Sequence, residues 1–328
     1  MPLFDPTPDN IALAASRLQN GELVAFPTET VYGFGANALD SQAVEQIYIT
    51  KGRPSYNPLI VHVASLEEAR KLASRWPENA QKLAETFWPG PLTLVVPKAP
   101  EIPGIISAGL ETVALRVPAH PVALELLRAT GLPLAAPSAN KSGEVSPSRA
   151  QHVTQSLGED IWVLDGGSCE VGIESTVVDV SGNDVAVLRP GTLSRRQIEK
   201  VVGPLVEAND SPEAEGAPRR SPGTLEKHYA PRARVHLYST IIDAAFHAPL
   251  LASGQKIGVL PSEPTTLGRQ FDTIERVMPS DPATYARELY GALRDLDEAG
   301  VALILVEDVP GHSAWEGVRD RLKRAAKS

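Results

Sequence analysis

Cysteine occurs once, at position 169, in a chain of 328 residues. A single thiol rules out an internal disulfide and any cysteine-based metal cluster. No His-x-x-x-His pair and no Asp/Asn-rich calcium loop stands in the sequence, so a structural metal is not expected. Gly-x-Ser-x-Gly is missing too, which removes the usual support for a serine hydrolase. No apolar run approaches the length of a membrane span. The opening residues, Met1 to Pro6, lack the basic-then-apolar order of a secretory signal. A cytosolic protein is therefore expected. Basic excess is absent as well: the formal charge is −9. Net acidity runs through both parts, −6 over residues 1–206 and −3 over 207–328. That argues against broad binding to nucleic acid or to an anionic membrane. Any anion must be caught by a local pocket.

Two apparent nucleotide motifs are decoys. Gly33-Phe34-Gly35-Ala36-Asn37-Ala38 fits the dinucleotide fingerprint in letters, but no strand ends at Gly33 and position 55 is serine instead of an acid. Lys141-Ser142 resembles the tail of a P-loop, yet Asn140 stands where glycine is required.

What is present is a set of bases beside small polar residues. Lys51-Gly52-Arg53-Pro54 lies in a stretch with no acidic residue between Glu45 and Glu67. Its neighbours are Pro27 to Gly33 and Asn57 to Val63. Thr112 to Pro118, Ala136 to Gly143 with Ser146, Glu174 to Asp179 and Leu188 to Gly191 share one grammar: a strand end, small or hydroxyl residues, and single bases at 116, 141 and 189. A guanidinium grips phosphate or carboxylate through two hydrogen bonds, and an ammonium adds a point charge. Charge-assisted bonds of roughly 1.5–3 kcal/mol each can hold a phosphate compound despite the net acidity. For Arg116 and Arg189 a structural ion pair with Glu29, Glu174 or Asp179 is the alternative. His62 alone reads as a core histidine.

Interleaved strands and helices with short breaks predict an α/β layer fold. Helices are expected at 10–20, 41–50, 66–74, 78–87, 121–129 and 194–202. Strands are expected at 23–26, 59–63, 92–96, 113–117, 134–136, 161–164, 175–180 and 185–188. Consecutive strands without intervening helices make the sheet mixed. Residues 207–233 read as a linker, polar and rich in proline in its first half. His228 and Tyr229 are too costly for a mere spacer. Strands at 235–238, 257–260 and 301–306, with helices at 241–251, 283–299 and 315–326, predict a smaller three-layer Rossmann-like domain over 234–328.

The segments Pro27–Gly33, Lys51–Pro54, Asn57–His62, Leu115–Pro118, Pro137–Asn140, Ser175–Asp179 and Leu188–Gly191 resemble, in order, the motifs of the YrdC-type L-threonylcarbamoyladenylate synthases. Ser221-Pro222-Gly223 and His228-Tyr229-Ala230-Pro231 are similar to the linker of the family's longer, two-domain form. The resemblance implies a YrdC-like twisted mixed sheet with a concave active-site surface over 1–206, and a nucleotidyltransferase. The implied reaction joins L-threonine, hydrogencarbonate and ATP into threonylcarbamoyl-AMP and pyrophosphate, with Mg2+ arriving on ATP. It further implies a downstream threonylcarbamoyl-transferase complex acting on adenosine 37 of tRNA. By motif matching, Thr30, His62, Arg116, Ala136 (through its backbone) and Ser175 hold threonine. Arg53, Asn57, Thr112, Ser138, Asn140, Ser146, Arg189 and Tyr229 hold ATP. Lys51 and Arg53 are assigned the catalytic role, and Tyr229 closes as a lid. A hydrogenase-maturation carbamoyl transferase and an RNA-binding module are the other readings. The first needs zinc-finger cysteines, the second a basic stripe.

Overall fold

The structure, a computed structural model, describes residues 3–208, 217–223, 228–241, 243–245, 255–269 and 271–327. Ten strands make the first sheet: β1 (Leu3–Phe4), β2 (Val24–Phe26), β3 (Gly33–Asn37), β4 (Ile60–His62), β5 (Leu92–Pro97), β6 (Thr112–Arg116), β7 (Leu134–Ala135), β8 (Val163–Leu164), β9 (Thr176–Asp179) and β10 (Ala186–Arg189). Their spatial order is β1-β8-β2-β3-β7-β4-β6-β5-β9-β10, with parallel and antiparallel neighbours mixed. Along the central strands alternate residues divide the labour. Val61 and Leu115 join the main core with Val44 and Ile47 of the helix Ser41–Lys51 and Leu83 of Glu78–Phe87. Ile60, Ala114, Val177 and Leu188 cluster on the other face. His62 and Arg116, paired in register, share that second face one step beyond Ile60 and Ala114.

β3 departs from the sequence reading, which left 33–37 without a strand. It pairs antiparallel with β2, Val24 opposite Gly35. Glycine is required there because the Phe26 ring lies across the strand: a Cβ on Gly35 would come within 2.8 Å of that ring. The sequence reading also left unmarked the helix Ala150–Leu157 and the short strands Leu3–Phe4 and Thr273–Glu275. The expected helix at 66–74 is shorter, Leu66–Lys71.

The second sheet, β11 (Arg234–Tyr238), β12 (Ile257–Leu260), β13 (Thr273–Glu275) and β14 (Leu303–Glu307), is wholly parallel in the order β11-β14-β12-β13. β14 is buried on both faces, as a parallel strand should be. Ile304 and Val306 pack with the helix Pro282–Glu298, while Leu303 and Leu305 pack with Ala244 and Leu267. Of the helix expected at 241–251 only residues 241 and 243–245 are described, and they are helical; most of the linker's first half falls outside the described residues.

The two sheets are docked, not merely tethered. Val31, Val145 and Ile173 from the first part share one core with Ala286, Leu289, Tyr290, Trp315 and Val318 from the second. Backbones approach so closely that a Cβ on Gly172 would collide with Arg287, and one on Gly317 with Gly191. Arg287 and Arg294 donate across the junction to the carbonyls of Glu170 and Val145.

Candidate active site

The concave face of the first sheet, Ile60 and His62 among its floor, opens into a narrow pocket lined by polar and charged side chains. Its cationic wall begins at a helix end. Asp40 caps the helix Ser41–Lys51, and Gly52, at φ +60°, stops it in the left-handed conformation that glycine adopts without strain. The Arg53 amide turns back to the Tyr48 carbonyl at 3.0 Å. Lys51 is thereby buried, its Nζ donating to the carbonyls of Ser138 and Asn140. Arg53 donates from Nε to the Asn57 carbonyl at 3.1 Å and from Nη2 to Pro58 at 2.8 Å. Neither base forms an ion pair among the described residues. Burial lowers the pKa of Arg53 to about 10 and, with Arg53 adding like-charge repulsion, that of Lys51 well below its usual value.

Arg189 completes this set from the end of β10. Its nitrogens hold the Ser175 carbonyl and hydroxyl and the Pro222 carbonyl at 3.0–3.2 Å, again with no ion pair. Arg116 is different, because the structural ion pair exists: Nη2 lies 2.6 Å from Glu29 Oε1, and both side chains are buried. Its Nη1 donates to Thr30 Oγ1 at 2.9 Å and its Nε to the Gly90 carbonyl. Thr28 spends its hydroxyl proton on Val31 O, so Thr30 donates to Thr28 while accepting from Arg116. Three of five guanidinium N–H groups are used, which leaves one on each terminal nitrogen. Asp179, the third candidate partner, pairs instead with Arg220 of the linker.

Buried polar atoms that find no partner among the described residues gather here. They include both amide atoms of Asn57, which is 0% exposed, His62 Nδ1, Glu29 Oε2, Asn140 Oδ1, His228 Nδ1 and Tyr229 OH. Buried polar groups are nearly always satisfied, so such a concentration marks where a polar ligand sits. Burial brings His62 and His228 down to about 3, with Arg116 adding repulsion at His62, and both imidazoles are neutral.

Of the residues singled out from sequence, Thr30, Arg53, His62, Arg116, Ala136, Ser138, Ser175, Arg189 and Tyr229 line the pocket together. Lys51, Asn57 and Asn140 stand directly behind, through their contacts with Arg53 and Ser138. Ser146 is one layer further back, donating to Glu174 Oε1. Thr112 lies outside the lining, at the start of β6 opposite Pro97 and four residues from Arg116. Tyr229 is buried at φ +59°, stacked on Tyr290 and roofed by the Arg321 guanidinium 5.0 Å from its ring. Sequence reasoning gave Glu174 only as an ion-pair partner and missed Arg321 and Tyr290, which hold it.

Comparison with known proteins places the whole chain in a family. The family Sua5_yciO_yrdC, described as Telomere recombination, matches residues 16–191. The family described as Threonylcarbamoyl-AMP synthase, C-terminal domain, matches 193–327. The threonylcarbamoyl-AMP synthase of Pyrococcus abyssi is 43% identical over 96% of this chain and 94% of its own length. That of Bacillus subtilis is 42% identical over 96% of this chain and 92% of its own. A crystal structure of P. abyssi Sua5 complexed with L-threonine superposes with a TM-score of 0.88 at 42% identity, covering 96% of this chain and 94% of that one. Both sheets, the pocket on the first and the linker residues that line it fall within these matches, and the chain belongs to the two-domain threonylcarbamoyl-AMP synthase family.

Proposed function

We propose that this chain condenses L-threonine, hydrogencarbonate and ATP into threonylcarbamoyl-AMP and pyrophosphate, and so acts as a nucleotidyltransferase. The observation that carries the reading is a cluster in which Lys51, Arg53 and Arg189 form no ion pair among the described residues, beside an arginine, Arg116, that has N–H groups to spare. Uncompensated buried cations are costly, and a polyphosphate offsets that cost. Arg116 with Thr30 suits a carboxylate, and neutral His62 suits an amino acid's polar groups. Hydrogencarbonate takes up a proton and splits into carbon dioxide and water; threonine's amine adds to the carbon dioxide and gives that proton back, leaving a carbamate. A carbamate oxygen then attacks the α-phosphorus, the bond to the bridging oxygen breaks, and its electron pair leaves with pyrophosphate. The protein needs no nucleophile of its own. Its share is to align two anions and to stabilise charge that develops on the phosphoryl oxygens.

Magnesium belongs to the ATP substrate in this scheme, held mainly by phosphate oxygens. Buried Tyr229 keeps water from the mixed anhydride. We assign the enzyme to the cytoplasm, supplying a threonylcarbamoyl-transferase complex that modifies adenosine 37 of tRNA.

Pyrophosphate release from Mg-ATP should require both threonine and hydrogencarbonate, with threonylcarbamoyl-AMP visible by mass spectrometry. Release independent of either would refute the reading. A second result follows from Lys51. Burial lowers its pKa and a bound triphosphate favours the charged amine, so ATP binding should take up protons increasingly as pH rises. Calorimetry in buffers of different ionisation enthalpy should show that uptake, with affinity falling as pH rises toward the usual lysine range. Uptake and affinity that stay flat up to the usual lysine range would exclude Lys51 from the phosphate site.

A further inference from the structure

Glu174 is a paradox in a site built for anions. It lines the pocket that Arg53 and Arg189 also line, and a bare carboxylate there would repel a triphosphate. The structure places a counter-charge behind it, from the other domain. Arg321, on the helix Glu316–Ala325, has a fully buried side chain, and its Nε lies 2.8 Å from Glu174 Oε2. Its Nη1 donates to the Pro190 carbonyl and to Asp320, its Nη2 approaches the Glu174 carbonyl, and its plane covers the Tyr229 ring. Tyr290, also from the second domain, donates its hydroxyl to the same carboxylate oxygen at 2.8 Å. Ser146 takes the other oxygen. Burial by itself would raise the Glu174 carboxyl, but Arg321, then Arg189 and Ser146, hold it at about 2.

Building on the synthase reading, we infer that Arg321 is a positioning residue for the ATP half of the reaction. It neutralises Glu174 from outside the pocket, so that Arg189 stays free for phosphate, and it seats the Tyr229 ring. Removing the Arg321 charge leaves Arg189 as the strongest remaining partner for Glu174, because these two already interact. Arg189 is then drawn toward the carboxylate and away from the nucleotide. The threonine side meets this network at Ser175, which accepts from Arg189, while Arg116, Thr30 and Glu29, its main anchors, bond among themselves.

The test compares separate KM values for ATP and threonine in the full-length enzyme, with melting temperatures as a check on folding. Arg321→Met should raise the ATP KM about tenfold or more and leave the threonine KM within twofold. Arg321→Lys, which keeps the charge, should recover most of the loss. The double variant Arg321→Met/Glu174→Gln, which removes both charges, should bind ATP more tightly than Arg321→Met alone. A merely structural arginine predicts the opposite: both KM values move together and the double variant is no better than the single. Should Arg321→Met fail to fold, Arg321→Gln carries the test, since it removes the charge and keeps a polar group for the Pro190 carbonyl. An unchanged ATP KM in that variant overturns the inference. Failure of the synthase reading looks different, because then wild-type enzyme releases no threonine-dependent pyrophosphate.

Discussion

Arg116→Ala should abolish threonine-dependent pyrophosphate release, with a loss of about 10³-fold or more, the scale seen when an aligned charge-stabilising donor is removed. Two effects add. The carboxylate of threonine loses its fork, and Glu29 loses a partner 2.6 Å away inside the protein. Breaking a buried pair from one side costs about 3–5 kcal/mol, chiefly because the orphaned charge stays behind. Lost activity could then reflect lost protein. The variant Arg116→Ala/Glu29→Gln separates the two effects, because it removes both charges. It should regain most of the melting temperature while staying inactive, and ATP should still bind through Lys51, Arg53 and Arg189. Full activity in that double variant would show that Arg116 serves the fold and not the substrate.

Ending the chain after Val206 should be nearly as damaging, for reasons that sequence alone did not supply. The linker reading foresaw the loss of Tyr229. The structure adds that Val31, Val145 and Ile173 would lose the apolar cover of Leu289, Tyr290 and Trp315. Glu174 would keep only Ser146 and Arg189 nearby, without Arg321 or Tyr290. The shortened protein is expected to aggregate at concentrations where the full chain stays in solution, and its soluble fraction to bind ATP poorly. Size-exclusion chromatography and nucleotide titration would register both. A shortened protein that is monodisperse and binds ATP normally would show the second domain to be dispensable for the site.

The sequence made the alternation of strands and helices visible because apolar runs such as Leu92–Val96 and Ile257–Leu260 stand between clear breakers. β3 was hidden because its glycines, needed under the Phe26 ring, are poor strand formers in isolation. The helix Ala150–Leu157 was hidden because Gln, His, Thr and Ser fill most of its length. At the site, Arg53, Arg116 and Arg189 were legible, being lone bases at strand or helix ends. Arg321 was not. It stands among Arg319, Lys323 and Arg324 on a polar helix, where nothing in the letters marks the one guanidinium that turns inward. Its meaning comes only from docking, a long-range event that local pattern does not encode.

That docking has a consequence for how the protein is made. Arg321 follows Glu174 by 147 positions, so the ribosome completes the anion pocket's acidic member long before its counter-charge exists. Until the helix 316–325 emerges and docks, the nascent chain carries its substrate-binding face with Glu174 unneutralised and the Val31–Ile173 patch bare. On the role inferred for Arg321, competence for catalysis is acquired late in synthesis, and interrupted translation products should carry the motifs of the enzyme without its working pocket.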